Sequence, residues 1–190
     1  GMRFTNCIVT NSLCSPSRAA ILTGQYAQRN GVFVLSQALK RCQVTVATMM
    51  RDAGYQTAIV GKWHLVNDPT GFDYWCVLPG QGKYHDPEFS ENGIPRHIDG
   101  YVTDIIGDLS IEWLKNRRPG QPFFLMCHHK APHGLWEYAD RHKELYRDAT
   151  IPEPASLHDD YANRAPGGVP TFGMQIYQTR GDRSLASRMQ

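Results

Sequence analysis

Cys14-Ser15-Pro16-Ser17-Arg18-Ala19-Ala20-Ile21-Leu22-Thr23-Gly24 places a cysteine just before a predicted helix. Proline is tolerated in a first helical turn because its missing N–H costs no hydrogen bond there, so we expect Ser15 to cap a helix running from Pro16 to about Thr23. Cys14 would then lie where backbone N–H groups and the positive end of the helix dipole favour anions. Arg18, one turn along, can point back at residue 14. The run predicts an anion-reactive nucleophile, with a buried cysteine at an ordinary helix start as the alternative.

A second motif is Gly54-Tyr55-Gln56-Thr57-Ala58-Ile59-Val60-Gly61-Lys62-Trp63-His64-Leu65, which follows a predicted helix over residues 45–53. Residues 57–60 read as a short buried strand, and Lys62 and His64 come directly after it. Ligands of open α/β sheets bind at the carboxyl ends of strands, and alternation along an extended chain puts both side chains on one side. A lysine can neutralise an anionic oxygen and a histidine can move a proton. A surface lysine and a capping histidine are the alternative.

The third motif is Pro122-Phe123-Phe124-Leu125-Met126-Cys127-His128-His129-Lys130-Ala131-Pro132-His133. Phe123 to Cys127 is a continuous apolar run, which predicts a strand buried on both faces. The polar residues begin where this strand ends, as in the second motif. The adjacent histidines could bind a metal, although no spaced partners support a zinc site.

The remaining pattern is that of an α/β domain without internal repeats. We expect a strand at residues 7–10, an amphipathic helix from Val102 to about Asn116 and a short helix at residues 139–147. Residues 67–98 are rich in glycine and proline and are predicted to form a loop facing the substrate.

Composition excludes several classes of function. The 190 residues carry a formal net charge of +2, with 41% hydrophobic and 20% charged residues, so nothing indicates a nucleic-acid or membrane surface. No apolar run approaches the roughly 20 residues that span a bilayer. The five cysteines are too scattered for a disulfide framework. Three of them are expected to be core thiols: Cys7, Cys76 and Cys127.

Together, the three motifs resemble the type I, formylglycine-dependent sulfatases. The matching patterns are Cys-x-Pro-Ser-Arg followed by Leu-Thr-Gly, then Gly-Tyr-x-Thr-x-x-x-Gly-Lys-Trp-His-Leu, then a strand ending in a Pro-His pair. The resemblance runs from about Gly1 to Ala165. Four stretches are similar to the N-acetylglucosamine-6-sulfatase or mucin-desulfating branch: residues 2–6, 69–75, 78–82 and 151–154.

The resemblance implies an alkaline-phosphatase-like sulfatase core, a mixed sheet flanked by helices. We expect residues 1–163 to be a partial catalytic domain and residues 164–190 an irregular tail. By the same resemblance, Cys14 is oxidised to formylglycine, whose hydrate attacks the sulfur of a sulfate ester. The family roles carried over to this chain are charge compensation by Arg18 and Lys62, proton removal by His64, leaving-group protonation by His133, and substrate contact by Lys62, Lys130 and His133.

Sulfatases also bind calcium, and residue 14, as formylglycine, is the only family ligand that the resemblance places in this chain. The carboxylate pairs of the family are expected to lie outside it, and Asp159-Asp160 does not match either pair. We therefore expect the chain to be truncated at both ends.

The implied partners are a sulfated sugar, such as N-acetylglucosamine 6-sulfate in glycosaminoglycans or mucins, and a formylglycine-generating maturation enzyme. Open strand edges would favour self-association. The family is periplasmic, secreted or lysosomal, and no signal peptide is visible in this chain. The alternative function is a truncated, catalytically inactive sulfatase-like domain that at most binds anions.

Overall fold

The computed structural model describes residues 1–154. The chain divides into two compact units, Gly1–Gly134 and Leu135–Gln190. The first unit contains a five-stranded mixed sheet with helices. Its elements in chain order are α1 (Cys14–Thr23), α2 (Ala27–Asn30), α3 (Val46–Asp52), β1 (Gln56–Lys62), β2 (Tyr74–Leu78), β3 (Glu88–Glu91), β4 (Ile94–His97), α4 (Val102–Asn116) and β5 (Phe123–His128).

The sheet has the strand order β4-β3-β2-β1-β5. β1 pairs in parallel with β2 and with β5, whereas β2–β3 and β3–β4 are antiparallel. Parallel neighbours need crossover connections, and α4 leads from the antiparallel edge back to β5. The carboxyl ends of β1, β2 and β5 therefore meet at one edge, as the α/β prediction requires.

β1 is the centre of the core, since each of its seven residues is buried. Its side chains alternate between two apolar clusters, as the pleat of a strand dictates. Ile59 packs with the cluster that includes Leu22 of α1 and Ala47 of α3, and Val60 packs with the cluster that includes Ile106 of α4. Helices thus cover both faces of β1, which fits its continuous apolar sequence.

The helix predictions are largely confirmed. α4 spans Val102–Asn116, as its amphipathic pattern indicates. α3 is capped by Thr45, whose side-chain oxygen accepts a hydrogen bond from the Thr48 N–H at 3.2 Å. α1 ends at Thr23, with Gly24 in the left-handed conformation.

The loop predicted at residues 67–98 is wrong, because this segment contributes β2, β3 and β4. The signal that could have corrected it is Asn92-Gly93 between two short strands. Both residues have positive φ, 48° and 90°, as a tight hairpin turn with twisted strands requires.

Three further element predictions are corrected. Residues 7–10 form no strand, and Ile8 and Val9 are exposed. β5 forms as predicted but is only partly buried, because within residues 1–154 it pairs with β1 alone; Phe123 is 43% exposed. Residues 139–147 contain only a 3-10 turn, Asp140–His142, since Leu145 and Tyr146 stay exposed and give no apolar face to pack.

Of the three expected core thiols, only Cys76 is buried, whereas Cys7 and Cys127 are exposed because their segments lack the predicted cover. The predicted domain limit at 163, the tail at 164–190 and the pair Asp159-Asp160 lie outside the described residues. No helix within residues 1–154 is long and apolar enough to cross a membrane.

Candidate active site

Cys14 is the first residue of α1, not the residue before its cap. The helix begins two residues earlier than predicted, and the capping position is Leu13 in an extended conformation, with no side-chain cap. The first turn also contains no acidic residue. Because helix N-termini carry unpaired N–H groups and a positive partial charge, this end of α1 is electrostatically favourable for an anion next to residue 14.

Ser15 does not cap the helix because it lies within the first turn, and its hydroxyl donates to a distant carbonyl instead. The side chain is fully buried, and Oγ donates to the backbone oxygen of His64 at 2.7 Å. Arg18 acts in the same way, since its Nη1 donates to the backbone oxygen of Lys62 at 2.6 Å. Two side chains of the helix that starts at Cys14 therefore hold the carbonyl groups of the two residues predicted to act at the end of β1.

Arg18 also contacts His128, a residue to which the sequence assigned no role. Arg18 Nη1 lies 3.2 Å from His128 Nδ1. His128 Nδ1 also lies 3.2 Å from the backbone oxygen of Lys62, so it accepts from the guanidinium in one tautomer and donates to the carbonyl in the other. Burial, followed by the charge of Arg18, lowers the pKa of His128, and the imidazole is therefore neutral. A histidine directly following an apolar strand was the available signal for this role.

The contact between β1 and β5 that brings His128 to Arg18 depends on Gly61. This glycine has φ of 101°, and a Cβ added there would lie 2.0 Å from the His128 carbonyl oxygen. Any side chain would force the strands apart, so glycine is required for the close approach.

Lys62 is buried, with 2% of its surface exposed, which excludes the surface-lysine alternative. Its Nζ donates to Gln81 Oε1 at 2.6 Å. Burial is the main cause that lowers the pKa of Lys62 to about 8; the charges of Arg18 and Lys130 lower it further, and a Cys14 thiolate opposes them. These couplings place Lys62 within electrostatic range of residue 14.

Lys130 lies close to Lys62 because both contact Gln81 in the loop after β2. Its Nζ donates to the backbone oxygen of Gln81 at 3.1 Å and lies 4.7 Å from the centre of the Tyr84 ring. Tyr84 in turn donates its hydroxyl to the backbone oxygen of His133 at 2.7 Å. Gln81 and Tyr84 thus hold residues of the third motif, and sequence reasoning assigned neither a role.

His64 and His133 are both neutral near pH 7. Burial is the main cause that lowers the pKa of His64 to about 4, followed by the charge of Lys62. The pKa of His133 is lowered chiefly by burial, then by Lys62. His64 Nδ1 is buried and has no hydrogen-bond partner among the described residues. Neutral imidazoles can accept protons.

The expectation that strand alternation puts His64 and Lys62 on one side is wrong. β1 ends at Lys62, and His64 has φ of 57°, a left-handed conformation that is uncommon for a residue with a side chain. The chain turns there, and the Ser15 hydroxyl holds the turn through the His64 carbonyl.

A cavity of about 530 Å³ lies between α1 and β5 and includes Cys14, Arg18 and His128 in its walls. Trp63 and Met126 add apolar surface. Residue 14 therefore stands at an open space rather than in a packed interior.

The described residues do not fit a calcium ion by themselves. Calcium takes six to eight oxygen ligands. Within residues 1–154 no group of three or more His, Cys, Asp and Glu side chains is placed to hold a metal, which also leaves His128-His129 without metal partners. The charged side chains that interact electrostatically with Cys14 are the cations Arg18 and Lys62.

Comparison with known proteins gives one family. The sulfatase family model matches residues 1–167. The chain is 47% identical over 169 residues to N-acetylglucosamine-6-O-sulfatase of Bacteroides thetaiotaomicron, covering 86% of this chain and 30% of that protein. It is 30% identical over 189 residues to human N-acetylglucosamine-6-sulfatase, covering 86% and 34%.

A solved structure of a protein in complex with its substrate D-glucosamine-2-N,6-O-disulfate superposes with a TM-score of 0.83 at 46% identity, covering 86% of this chain and 34% of that one. The chain spans about a third of the length of these relatives. Its mixed sheet with flanking helices is part of the alkaline-phosphatase-like fold that the sequence predicted. On the family match and these identities, the chain belongs to the sulfatase family.

Proposed function

We propose that this chain is part of a sulfuric ester hydrolase that removes sulfate from amino sugars such as N-acetylglucosamine 6-sulfate in glycosaminoglycans or mucins. The observation that carries the proposal is a cluster of cationic and neutral basic side chains around residue 14. Arg18, Lys62 and Lys130 each affect the pKa of another group in the cluster, and no carboxylate is among the described groups that do so. Positive charges on Arg18 and Lys62 that meet neutral acceptors suit an anionic substrate.

The proposed nucleophile is residue 14 after oxidation of its cysteine to formylglycine by a maturation enzyme. The hydrate of that aldehyde would supply the oxygen that attacks sulfur. Arg18 and Lys62 would compensate the charge of the sulfuryl oxygens, because fixed positive charge in a site closed to water stabilises a developing anion. Burial of Lys62, the hydrogen bond from Arg18 to the Lys62 carbonyl and the contact of Arg18 with His128 keep both groups in place.

The two histidines divide the proton transfers. We assign proton removal to His64, since its pKa of about 4 keeps it unprotonated at neutral pH. We assign protonation of the leaving sugar oxygen to His133, with Lys130 contacting the substrate; a bound sulfate ester would raise the pKa of His133 by placing a negative charge beside it. Oxygen ligands for the family's calcium would have to join residue 14 from residues other than those described.

The proposal includes a compartment and partners. We infer a periplasmic, secreted or lysosomal enzyme whose partners are the sulfated sugar and the maturation enzyme. The proposed limits remain residues 1–163 for the catalytic part and 164–190 for a tail.

The experiment is an assay of the full enzyme that contains this sequence, co-expressed with a formylglycine-generating enzyme. Sulfate release from N-acetylglucosamine 6-sulfate is compared with release from the 3-sulfate isomer. The proposal predicts multiple turnovers and a clear preference for the 6-sulfate. Anion binding without turnover on any sulfate ester would instead support the inactive sulfatase-like alternative.

A further inference from the structure

Gln81 lies between the two lysines of the cluster and accepts a hydrogen bond from each. Its side-chain oxygen receives Lys62 Nζ at 2.6 Å, and its backbone oxygen receives Lys130 Nζ at 3.1 Å. An ammonium group can only donate, so the atom of the amide that faces Lys62 must be oxygen. One residue of the loop after β2 therefore fixes the distance between two like charges.

This contact is unusual because the acceptor for a buried lysine is neutral. Buried ammonium groups are most often paired with carboxylates. The same protein uses carboxylates elsewhere, since Arg96 on β4 is paired with Glu91 at 2.8 Å. At Lys62 an amide orients the ammonium group and leaves its charge uncompensated.

We propose that Gln81 is a positioning residue of the sulfatase site, which orients Lys62 toward an anionic ester without neutralising it. This inference rests on the proposed function. The amide does two things that a carboxylate or an apolar side chain cannot do together. It satisfies one ammonium proton, and it leaves the full positive charge available to the substrate.

Two isosteric variants separate these roles. Gln81→Glu keeps the acceptor but adds a negative charge beside Lys62, and Gln81→Met keeps the length but removes the acceptor. Gln81→Asn retains the amide on a shorter side chain and tests rescue. Gln28→Glu adds the same charge on the exposed surface of α2 and is the matched control.

In the full enzyme, we expect Gln81→Glu to raise KM for the sulfate ester about tenfold, with a smaller change in kcat, because the attraction of the cluster for an anion falls. Gln81→Met should lower kcat more than it raises KM, because the ammonium group keeps its charge but loses its orientation. Gln81→Asn should fall between Gln81→Met and the unchanged enzyme. Gln28→Glu should change neither constant.

A second measurement needs no turnover. Trace labelling of amines with acetic anhydride at pH 8, read by peptide mass, reports the unprotonated fraction of each lysine. The charged groups facing Lys62 are Arg18 from α1 and Lys130 from the segment after β5, and the titratable thiol of Cys14 also faces it before its oxidation. Against this background, Gln81→Glu should reduce labelling of Lys62 about threefold and Gln81→Met should increase it, because the first stabilises the charged form and the second removes its acceptor.

Lys115, which is exposed near the end of α4, is an internal reference. Opposite shifts at Lys62 with little change at Lys115 support the inference. Unchanged labelling of Lys62 in both variants, or a Gln81→Glu enzyme with normal KM, overturns it. If the unchanged enzyme gives no turnover while the labelling shifts appear, the proposed function fails and the positioning of the lysines stands.

Discussion

Two histidines, one on the edge strand β4 and one just after the interior strand β1, have opposite environments. His97 lies on β4, exposed, with Nδ1 at 2.9 Å from Glu88 and Nε2 at 3.0 Å from Asp99. Hydrogen bonds to Glu88 first and Asp99 second raise the pKa of His97. His64 is surrounded by Lys62, Arg18 and other cationic groups, and burial and these charges lower its pKa to about 4.

The difference separates structural ion pairing from a site prepared for a ligand. On the β3–β4 hairpin each cation has a carboxylate, and Arg96–Glu91 and His97–Glu88 satisfy one another. Around residue 14, Arg18 donates to the Lys62 carbonyl and Lys62 donates to the Gln81 amide, and these neutral acceptors do not cancel the two positive charges. Basic residues of the hairpin are therefore neutralised by carboxylates, whereas Arg18 and Lys62 keep a positive charge that can attract an anion. Four predictions test the contrast, in order of expected effect.

The largest effect is expected at the nucleophile. In the full enzyme, Cys14→Ala should reduce kcat by about 10⁴-fold or more, since removal of a nucleophile costs far more than removal of an auxiliary group. Cys42→Ala, at an exposed cysteine, should leave the rate unchanged and serves as the control. Wild-type turnover by Cys14→Ala on an aryl sulfate would remove residue 14 from the reaction.

The second prediction compares the two histidines directly. His64→Gln should lower kcat by about 10²-fold, a typical figure for a general base or acid. His97→Gln should leave kcat and KM within error, because its charge serves only the hairpin. Lys62→Ala should resemble His64→Gln in size, through lost charge compensation. Equal losses at His64 and His97 would show that the contrast between the regions has no functional meaning.

The third prediction concerns pH. The kcat/KM profile of the free enzyme should fall below about pH 4, where His64 gains a proton, and above about pH 8, where Lys62 loses its charge. Both pKa values lie below the ordinary ones, so both groups stay in the required form between these limits. Lys62→Arg should abolish the alkaline fall, since a guanidinium stays charged, and His97→Gln should alter neither limb. An alkaline limb unchanged in Lys62→Arg would assign it to another group.

The smallest effect is expected at Ser15, which joins α1 to the His64 carbonyl. Ser15→Ala should lower kcat about fivefold by removing one hydrogen bond worth about 1 kcal/mol, and Ser15→Thr should restore most of it because it keeps the hydroxyl. Because Ser15 adjoins Cys14, modification of residue 14 must be measured by mass in each variant. A Ser15→Ala enzyme that is fully modified and fully active would contradict the positioning role.

Much of this architecture could be predicted from local patterns. Several features are properties of short segments: the apolar period of α4, the buried run of β1, and the placement of Lys62 and His64 at a strand end. In each case the local preference agrees with the tertiary environment. The cationic side chains were found because their types and spacing match a family signature. The cap at Thr45 follows from the ordinary preference for threonine before a helix.

The supporting residues could not be predicted, because their roles depend on contacts distant in sequence. The sequence predicts a capping role for Ser15, but its hydroxyl donates to a carbonyl 49 residues away. Gln81 lies 19 residues from Lys62 and 49 from Lys130 in sequence. The apolar sequence of β5 predicts a buried strand, but composition alone does not specify which neighbouring element would cover it. The content of glycine and proline in residues 67–98 predicts a loop, although Asn92-Gly93 indicates a tight turn between two strands.

The most direct measurement is the mass of the peptide containing residue 14, taken from full enzyme that is turning over a sulfate ester. The account predicts a formylglycine, seen as loss of the thiol and capture of that peptide by an aldehyde-reactive hydrazide. The same peptide from Cys14→Ala enzyme should give no capture. An active enzyme with an unmodified thiol at residue 14 would contradict the central claim that the cationic cluster surrounds a formylglycine nucleophile.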